Sequence, residues 1–203
     1  MEKLFLASLF KDVKKQFMDF VDEPLEGKTV TFISTAAIPD NLNFHVKYSM
    51  RLLRKMGLNV EELEVSTASS EEIKSKLSNN DYIFVNGGNT FFLLQELKRS
   101  GADTILKEEI NSGKLFIGES AGAMILAPNI EYGAAMDKVK DAPLLEDYNG
   151  LDVIDFYPVP HYTNFPLKKA VDIIIRDYGV ALHLVPIKNS QAIIINKGIR
   201  KIV

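Results

Sequence analysis

The sequence predicts an α/β protein built on a mainly parallel sheet with helices on both faces, and three observations carry that prediction. Short apolar runs alternate with helical patterns, the runs are rich in β-branched residues without strict polar alternation, and Gly-x-Ser-x-Gly stands where one run meets a helical stretch. Strands alternating with helices join through right-handed crossovers into parallel sheets, whose strands are buried on both faces and so lose the in–out alternation. The 203 residues, 46% hydrophobic with a net charge of −3, are enough for one domain over 1–203. No linker, repeat or low-complexity tract divides them.

Residues 3–8 are the first apolar run, and residues 10–21 follow with Phe10, Val13, Phe17, Phe20 and Val21 near helical spacing, predicting strand then helix. After turn-prone residues 24–27, the β-branched stretch 29–37 predicts a second strand. Residues 44–56 form an amphipathic helix that Gly57 ends, and residues 60–65 a weaker strand. Residues 70–77 predict a helix opened by Ser70 with acids in its first turn, and residues 82–85 a buried strand.

Residues 86–90, Asn-Gly-Gly-Asn-Thr, then connect that strand to a helical run over 91–99. Adjacent glycines let the main chain turn with its amides exposed at the carboxyl edge of the sheet, where open α/β folds place ligands. The same residues also suit a plain turn in which Asn89 or Thr90 caps the next helix. A phosphate loop is disfavoured, because neither Gly-Lys-Ser/Thr nor Gly-x-Gly-x-x-Gly is present.

Residues 115–126 carry the strongest chemical signal. An apolar run enters Gly118-Glu-Ser-Ala-Gly122 and helix formers leave it, the pattern of a strand, a sharp turn and a helix. Such an elbow holds its serine on a strained turn that only small neighbours allow, and Gly118, Ala121, Gly122 and Ala123 are small. An ordinary turn with Ser120 as a helix cap would share the pentapeptide.

Residues 128–147 are polar, acidic and glycine-containing, a long loop able to supply a carboxylate from Glu131, Asp137, Asp141, Glu146 or Asp147. Residues 153–157 resume as a strand running into Pro160, His161 and Tyr162, which puts His161 at a strand end. Of the other two histidines, His45 lies in a helical stretch and His183 in an apolar run where a packed core histidine is expected. Residues 165–178 are helical by pattern, and residues 181–187, 191–195 and 199–203 predict terminal strands joined by turns at 188–190 and 196–198.

A serine hydroxyl needs a base within hydrogen-bond reach, and the base needs an acceptor that fixes its tautomer. Ser120, a carboxylate from the long loop and His161 can fill those places in that order. The N–H groups of Ala121 and Gly88 are the candidate donors for an oxyanion. Zero cysteines exclude disulfides, thiolate metal sites and a cysteine nucleophile. No His-Glu-x-x-His or comparable cluster points to a metal, and no cofactor is expected. Mixed charge and the lack of a long apolar segment or a signal-peptide pattern argue against nucleic acid and membrane partners, so a cytoplasmic monomer or homodimer acting on a small molecule is expected.

Four segments in order, Leu4-Phe-Leu-Ala-Ser8, Gly87-Gly-Asn-Thr-Phe91, Gly118-Glu-Ser-Ala-Gly-Ala123 and Pro160-His-Tyr162, resemble peptidase family S51, which includes dipeptidase E and cyanophycinase. The resemblance implies a class I glutamine-amidotransferase-like fold, of the flavodoxin-like three-layer kind, with serine in place of that superfamily's cysteine. It also implies a serine peptidase acting on small peptides through an acyl-enzyme, with Ser120 as nucleophile, His161 as base, and Gly88 and Ala121 as oxyanion donors. Asp137 is favoured as the acid, with Glu131 and Asp141 as alternatives, and Asn89, Thr90 and Glu119 are assigned to substrate binding. Glu131 stands near where dipeptidase E carries a basic residue, which argues against a preference for aspartyl peptides. The alternative reading is a non-catalytic domain that binds or senses a small ligand on the same fold; an α/β-hydrolase esterase is disfavoured because no His-Gly-Gly-Gly motif is present.

Overall fold

The computed structural model describes residues 2–41 and 43–203. Nine strands are present among them: β1 (Lys3–Ala7), β2 (Thr29–Ile33), β3 (Asn59–Leu63), β4 (Tyr82–Val85), β5 (Leu115–Glu119), β6 (Tyr157–Val159), β7 (Leu184–Pro186), β8 (Ala192–Asn196) and β9 (Ile199–Ile202). Seven form one sheet in the order β3-β2-β4-β5-β1-β8-β9. The first five run parallel, and β8 and β9 add an antiparallel edge.

The buried strands explain the missing alternation in the sequence. In β1, Leu4 and Leu6 pack on one face while Phe5 and Ala7 pack on the other, so neither face meets water. One face is covered by α1 (Lys14–Val21) and α2 (Asn43–Lys55), where Phe5, Phe10, Phe17 and Phe84 meet edge to face at 5.1–6.2 Å. The other face is covered by α3 (Ser70–Asn79), α4 (Thr90–Ser100), α5 (Ala102–Asn111) and the short α6 (Ala121–Met124). The result is the three-layer α/β architecture expected from the sequence. The last helix, α7 (Lys168–Tyr178), packs on the segment after α6 through Val171 and Ile174. Among the described residues, no helix is long and apolar enough to cross a membrane.

Several elements differ from expectation. The helix expected over 10–21 is broken at Val13 into a 3-10 turn, Phe10–Asp12, and α1. The strand expected over 29–37 stops at Ile33, and Thr35–Ala37 is a 3-10 turn. Ser69, not Ser70, caps α3, its hydroxyl accepting from the Glu72 N–H. Helix α5 stands over 102–111, where no element is expected; Gly101, left-handed at φ +74°, ends α4 and opens α5 within one residue. Residues 153–156 are not a strand: β6 begins at Tyr157 and pairs with a shortened β7 in a separate two-stranded sheet. Helix α7 starts at Lys168 rather than 165. The hairpin between β8 and β9 forms as expected, with Lys197 and Gly198 both at positive φ.

Candidate active site

Parallel pairing brings the carboxyl ends of β4, β5 and β1 to one edge of the sheet. Ala7 lies opposite Glu119 and Val85 opposite Gly118, so the residues that follow each strand, Ser8, Ser120 and Asn86, become neighbours. The elbow is strained at its serine, with Ser120 at φ +50° and ψ −108°. Its N–H is held by the Ala7 carbonyl at 2.9 Å. The glycines around it are required by space. A Cβ on Gly122 would lie 2.2 Å from the Val85 carbonyl oxygen, and one on Gly118 would lie 2.4 Å from that of Gly122.

His161 is reached from the other half of the chain. It follows β6 at φ +64°, and its Nε2 lies 2.9 Å from Ser120 Oγ. On the far side of the ring, Nδ1 lies 2.9 Å from Asn189 Oδ1 and 3.3 Å from Ser8 Oγ. The Ser8 hydroxyl accepts from the His161 backbone N–H at 2.8 Å and donates to Asn189 Oδ1 at 2.9 Å. A ring whose Nδ1–H donates to the Asn189 carbonyl oxygen has a bare Nε2, able to accept the Ser120 proton. Burial holds the His161 pKa below its ordinary value, and the Asn189 hydrogen bond opposes that shift only in part.

The acid assignment is therefore corrected. Asp137 does not touch the imidazole; its Oδ2 accepts from the Thr90 N–H at 2.9 Å and the Thr90 hydroxyl at 2.5 Å. Burial pushes its pKa up to about 6 against those bonds. Glu131 and Asp141 lie in separate 3-10 turns, Glu131–Ala135 and Val139–Asp141, and neither bonds to the ring; Glu131 is exposed. The place expected for a carboxylate is taken by the amide of Asn189.

The two expected oxyanion donors are open. Ala121 begins α6 and Gly88 lies in the loop after β4, and among the described residues neither N–H has a hydrogen-bond acceptor. Gly88 is at φ +148°, and a Cβ there would lie 2.1 Å from the Ala36 carbonyl oxygen. Of the residues assigned to substrate binding, two are used internally. Asn89 is buried as the cap of α4, accepting from Phe91 and Phe92 N–H and donating to the Lys138 carbonyl. Thr90 is buried and bonded to Asp137. Glu119 does face the site, as part of the wall of a cavity of about 660 Å³ that also includes Ser120, His161, Gly88 and Asp137. That volume is in the range of small-molecule sites. His45 lies on the same wall, whereas His183 is exposed rather than in the core.

Ser8 and Asn189 were missed from the sequence. Ser8 ends the first apolar run and Asn189 sits in a turn between strands, both ordinary positions until the pairing of β1 with β5 and β8 sets them against His161.

The family model described as peptidase family S51 matches residues 4–203. An uncharacterized peptidase of Pasteurella multocida is 49% identical over 97% of this chain and 94% of its own length, and one of Listeria innocua is 50% identical over 96% and 93%. Peptidase E of Salmonella arizonae is 30% identical over 68% of this chain and 56% of its own. Among solved structures, a candidate peptidase E from Listeria monocytogenes EGD-e superposes with a TM-score of 0.95 and 47% identity, covering 100% of this chain and 98% of that one. A peptidase from an acI-B1 Actinobacterium shares the fold at a TM-score of 0.76 and 19% identity, covering 100% of this chain and 87% of that one.

Proposed function

The chain belongs to peptidase family S51, and on that premise we propose that it is a cofactor-independent serine peptidase hydrolysing short peptides through an acyl-enzyme on Ser120. The observation that carries this reading is the 2.9 Å contact between Ser120 Oγ and His161 Nε2, made from a serine held in a left-handed elbow. In the proposed reaction the Ser120 hydroxyl attacks the peptide carbonyl carbon while its proton passes to His161 Nε2. Asn189 keeps the other ring proton on Nδ1, so only Nε2 is free to act as base. Negative charge that develops on the carbonyl oxygen is met by the N–H groups of Ala121 and Gly88. Collapse of the tetrahedral intermediate breaks the C–N bond, and the imidazolium gives its proton to the leaving amine. Water, deprotonated by the same nitrogen, then releases the acid product and restores Ser120.

Asn189 differs from a carboxylate in one respect. It orients the ring without a counter-charge for the imidazolium, in accord with the lowered pKa of His161. This single feature favours the second reading, a domain that binds a small ligand without turning it over.

Intact-mass spectrometry after incubation with a fluorophosphonate separates the two. One adduct is expected on the wild type and none on Ser120→Ala or His161→Ala, with peptide hydrolysis by Ser120→Ala falling on the order of 10⁴-fold or more. Full peptidase activity in Ser120→Ala would overturn the assignment. No adduct on folded wild type, with peptides bound and left intact, would establish the binding domain.

A further inference from the structure

The residue between Gly118 and Ser120 in the elbow is a glutamate, and its surroundings are unusual for a charged side chain. Glu119 is 6% exposed, yet it forms part of the cavity wall beside the nucleophile. Its Oε1 accepts from the Phe10 N–H at 3.0 Å, and the nearby Ser49 hydroxyl favours its ionised form. A carboxylate has about four acceptor positions, so the Phe10 N–H leaves capacity for a ligand in the cavity that Glu119 lines. Among the described residues no lysine or arginine forms an ion pair with it; Lys11 acts on it only at a distance and is opposed by Asp12.

A buried carboxylate without a cation is costly when ionised. Burial accordingly pushes Glu119 up to about 7, the direction expected of a site that lacks its positive partner. The same cavity is lined by two further acids, Asp40 and Asp137. Asp137 spends only Oδ2 on Thr90, while Asp40 is paired with Lys138 at 3.1 Å. The rest of the wall is largely apolar, with Leu9, Phe44, Tyr48, Met136 and Leu167, Phe44 being 77% and Tyr48 45% exposed; Lys11 and His45 line it as well. Three carboxyl groups stand on this wall against one lysine, and of the three Glu119 is buried, Asp137 half-buried and Asp40 exposed.

We propose that Glu119 is the specificity-determining residue of this site and that it selects peptides presenting an organic cation next to the scissile bond, an ammonium or guanidinium group. This rests on the peptidase reading above and deepens it. The cation has two sources, the α-ammonium of the first residue or the side chain of a lysine or arginine, and both would complete the ion pair that Glu119 lacks. An acidic residue at the same place would meet carboxylates instead and be repelled.

The test is protection of Ser120 from fluorophosphonate labelling by Lys-Ala, Ala-Ala, Asp-Ala and the N-acetylated forms of the first two. Cationic peptides should protect the wild type at concentrations at least 10-fold lower than N-acetyl-Ala-Ala, and Asp-Ala should protect less well than Ala-Ala. Loss of protection on acetylating both peptides assigns the cation to the α-ammonium; protection kept by N-acetyl-Lys-Ala alone assigns it to the side chain. Glu119→Gln should erase the difference between the peptides that carry the recognised cation and N-acetyl-Ala-Ala, whereas an equal loss for both would mark Glu119 as merely structural and overturn the proposal. Equal protection of the wild type by Lys-Ala, Ala-Ala, N-acetyl-Lys-Ala and N-acetyl-Ala-Ala would overturn it even if the variant does not fold. Were the wild type not labelled at all, the hydrolase reading would fail by itself, and calorimetric titration with the same peptides would return the same comparison for Glu119.

Discussion

At the scale of single residues, the site turns on an amide where a carboxylate was expected. Asn189 accepts from His161 Nδ1 and so fixes the tautomer, but it brings no charge. With burial holding its pKa below the usual imidazole value, His161 is a free base at pH 7. The acid limb of kcat for peptide hydrolysis, read with substrate bound and Glu119 paired, should therefore lie below pH 6.5, the ordinary histidine value. Asn189→Asp places a negative charge against the ring, favours the imidazolium and should move that limb to higher pH, which a pH–rate profile of wild type and variant reads directly. Asn189→Ala should lower kcat on the order of 10²-fold through lost alignment, with a smaller change in KM. A limb that stays in place in Asn189→Asp would mean that the ring does not sense this position.

At the scale of elements, the elbow is a packing problem before it is a chemical device. Strand β5 and the short helix α6 approach so closely that Gly122 abuts Val85 and Gly118 abuts Gly122. The flanking residues Ala121 and Ala123 are fully buried. Gly122→Ala has no room for its methyl group, since the atom it meets is backbone that cannot rotate away. It should destabilise the protein by about 1–3 kcal/mol, seen as a lower midpoint in denaturant, and depress activity further by moving Ser120. Gly101 shows the converse case. Added there, a Cβ meets nothing within 4 Å, so the constraint is the left-handed φ of +74° alone. That conformation lets α4 and α5 turn within one residue, and a breaker so compact hides a helix from a reading that waits for a loop.

At the scale of the whole molecule, the cavity leaves a mark on stability. Glu119 and Asp137 are raised to about 7 and about 6 from ordinary values of 4.5 and 3.8, so the folded protein binds more protons than the unfolded chain in the interval between. Stability must then rise as pH falls through that range. Among the groups around them, Lys11 favours ionisation of Glu119 while Asp12 opposes it, and Asp40 opposes ionisation of Asp137. His161 works in the other sense below 6.5, because its folded form resists protonation. Between pH 8 and 6.5 the carboxyls dominate, and the melting temperature should increase as pH is lowered; Glu119→Gln should flatten the increase. A melting temperature that falls over that interval in the wild type would contradict the buried carboxyls as the source. What the sequence determined by itself was local: β-branched apolar runs that place the central strands, a row of small residues around Ser120 that suits a tight elbow, and a histidine at the end of a strand near Pro160. These are legible because periodicity and steric permission are written within a few residues of where they act. Tertiary structure decided the partners. Ser8, Ser120, His161 and Asn189 span most of the chain, and their meeting depends on the order in which β5, β1 and β8 pair, which no local pattern encodes. Packing of the loop after α6 against α4 set Asp137 on Thr90, where a helix N-terminus satisfies a carboxylate, and the imidazole met an asparagine from a turn instead.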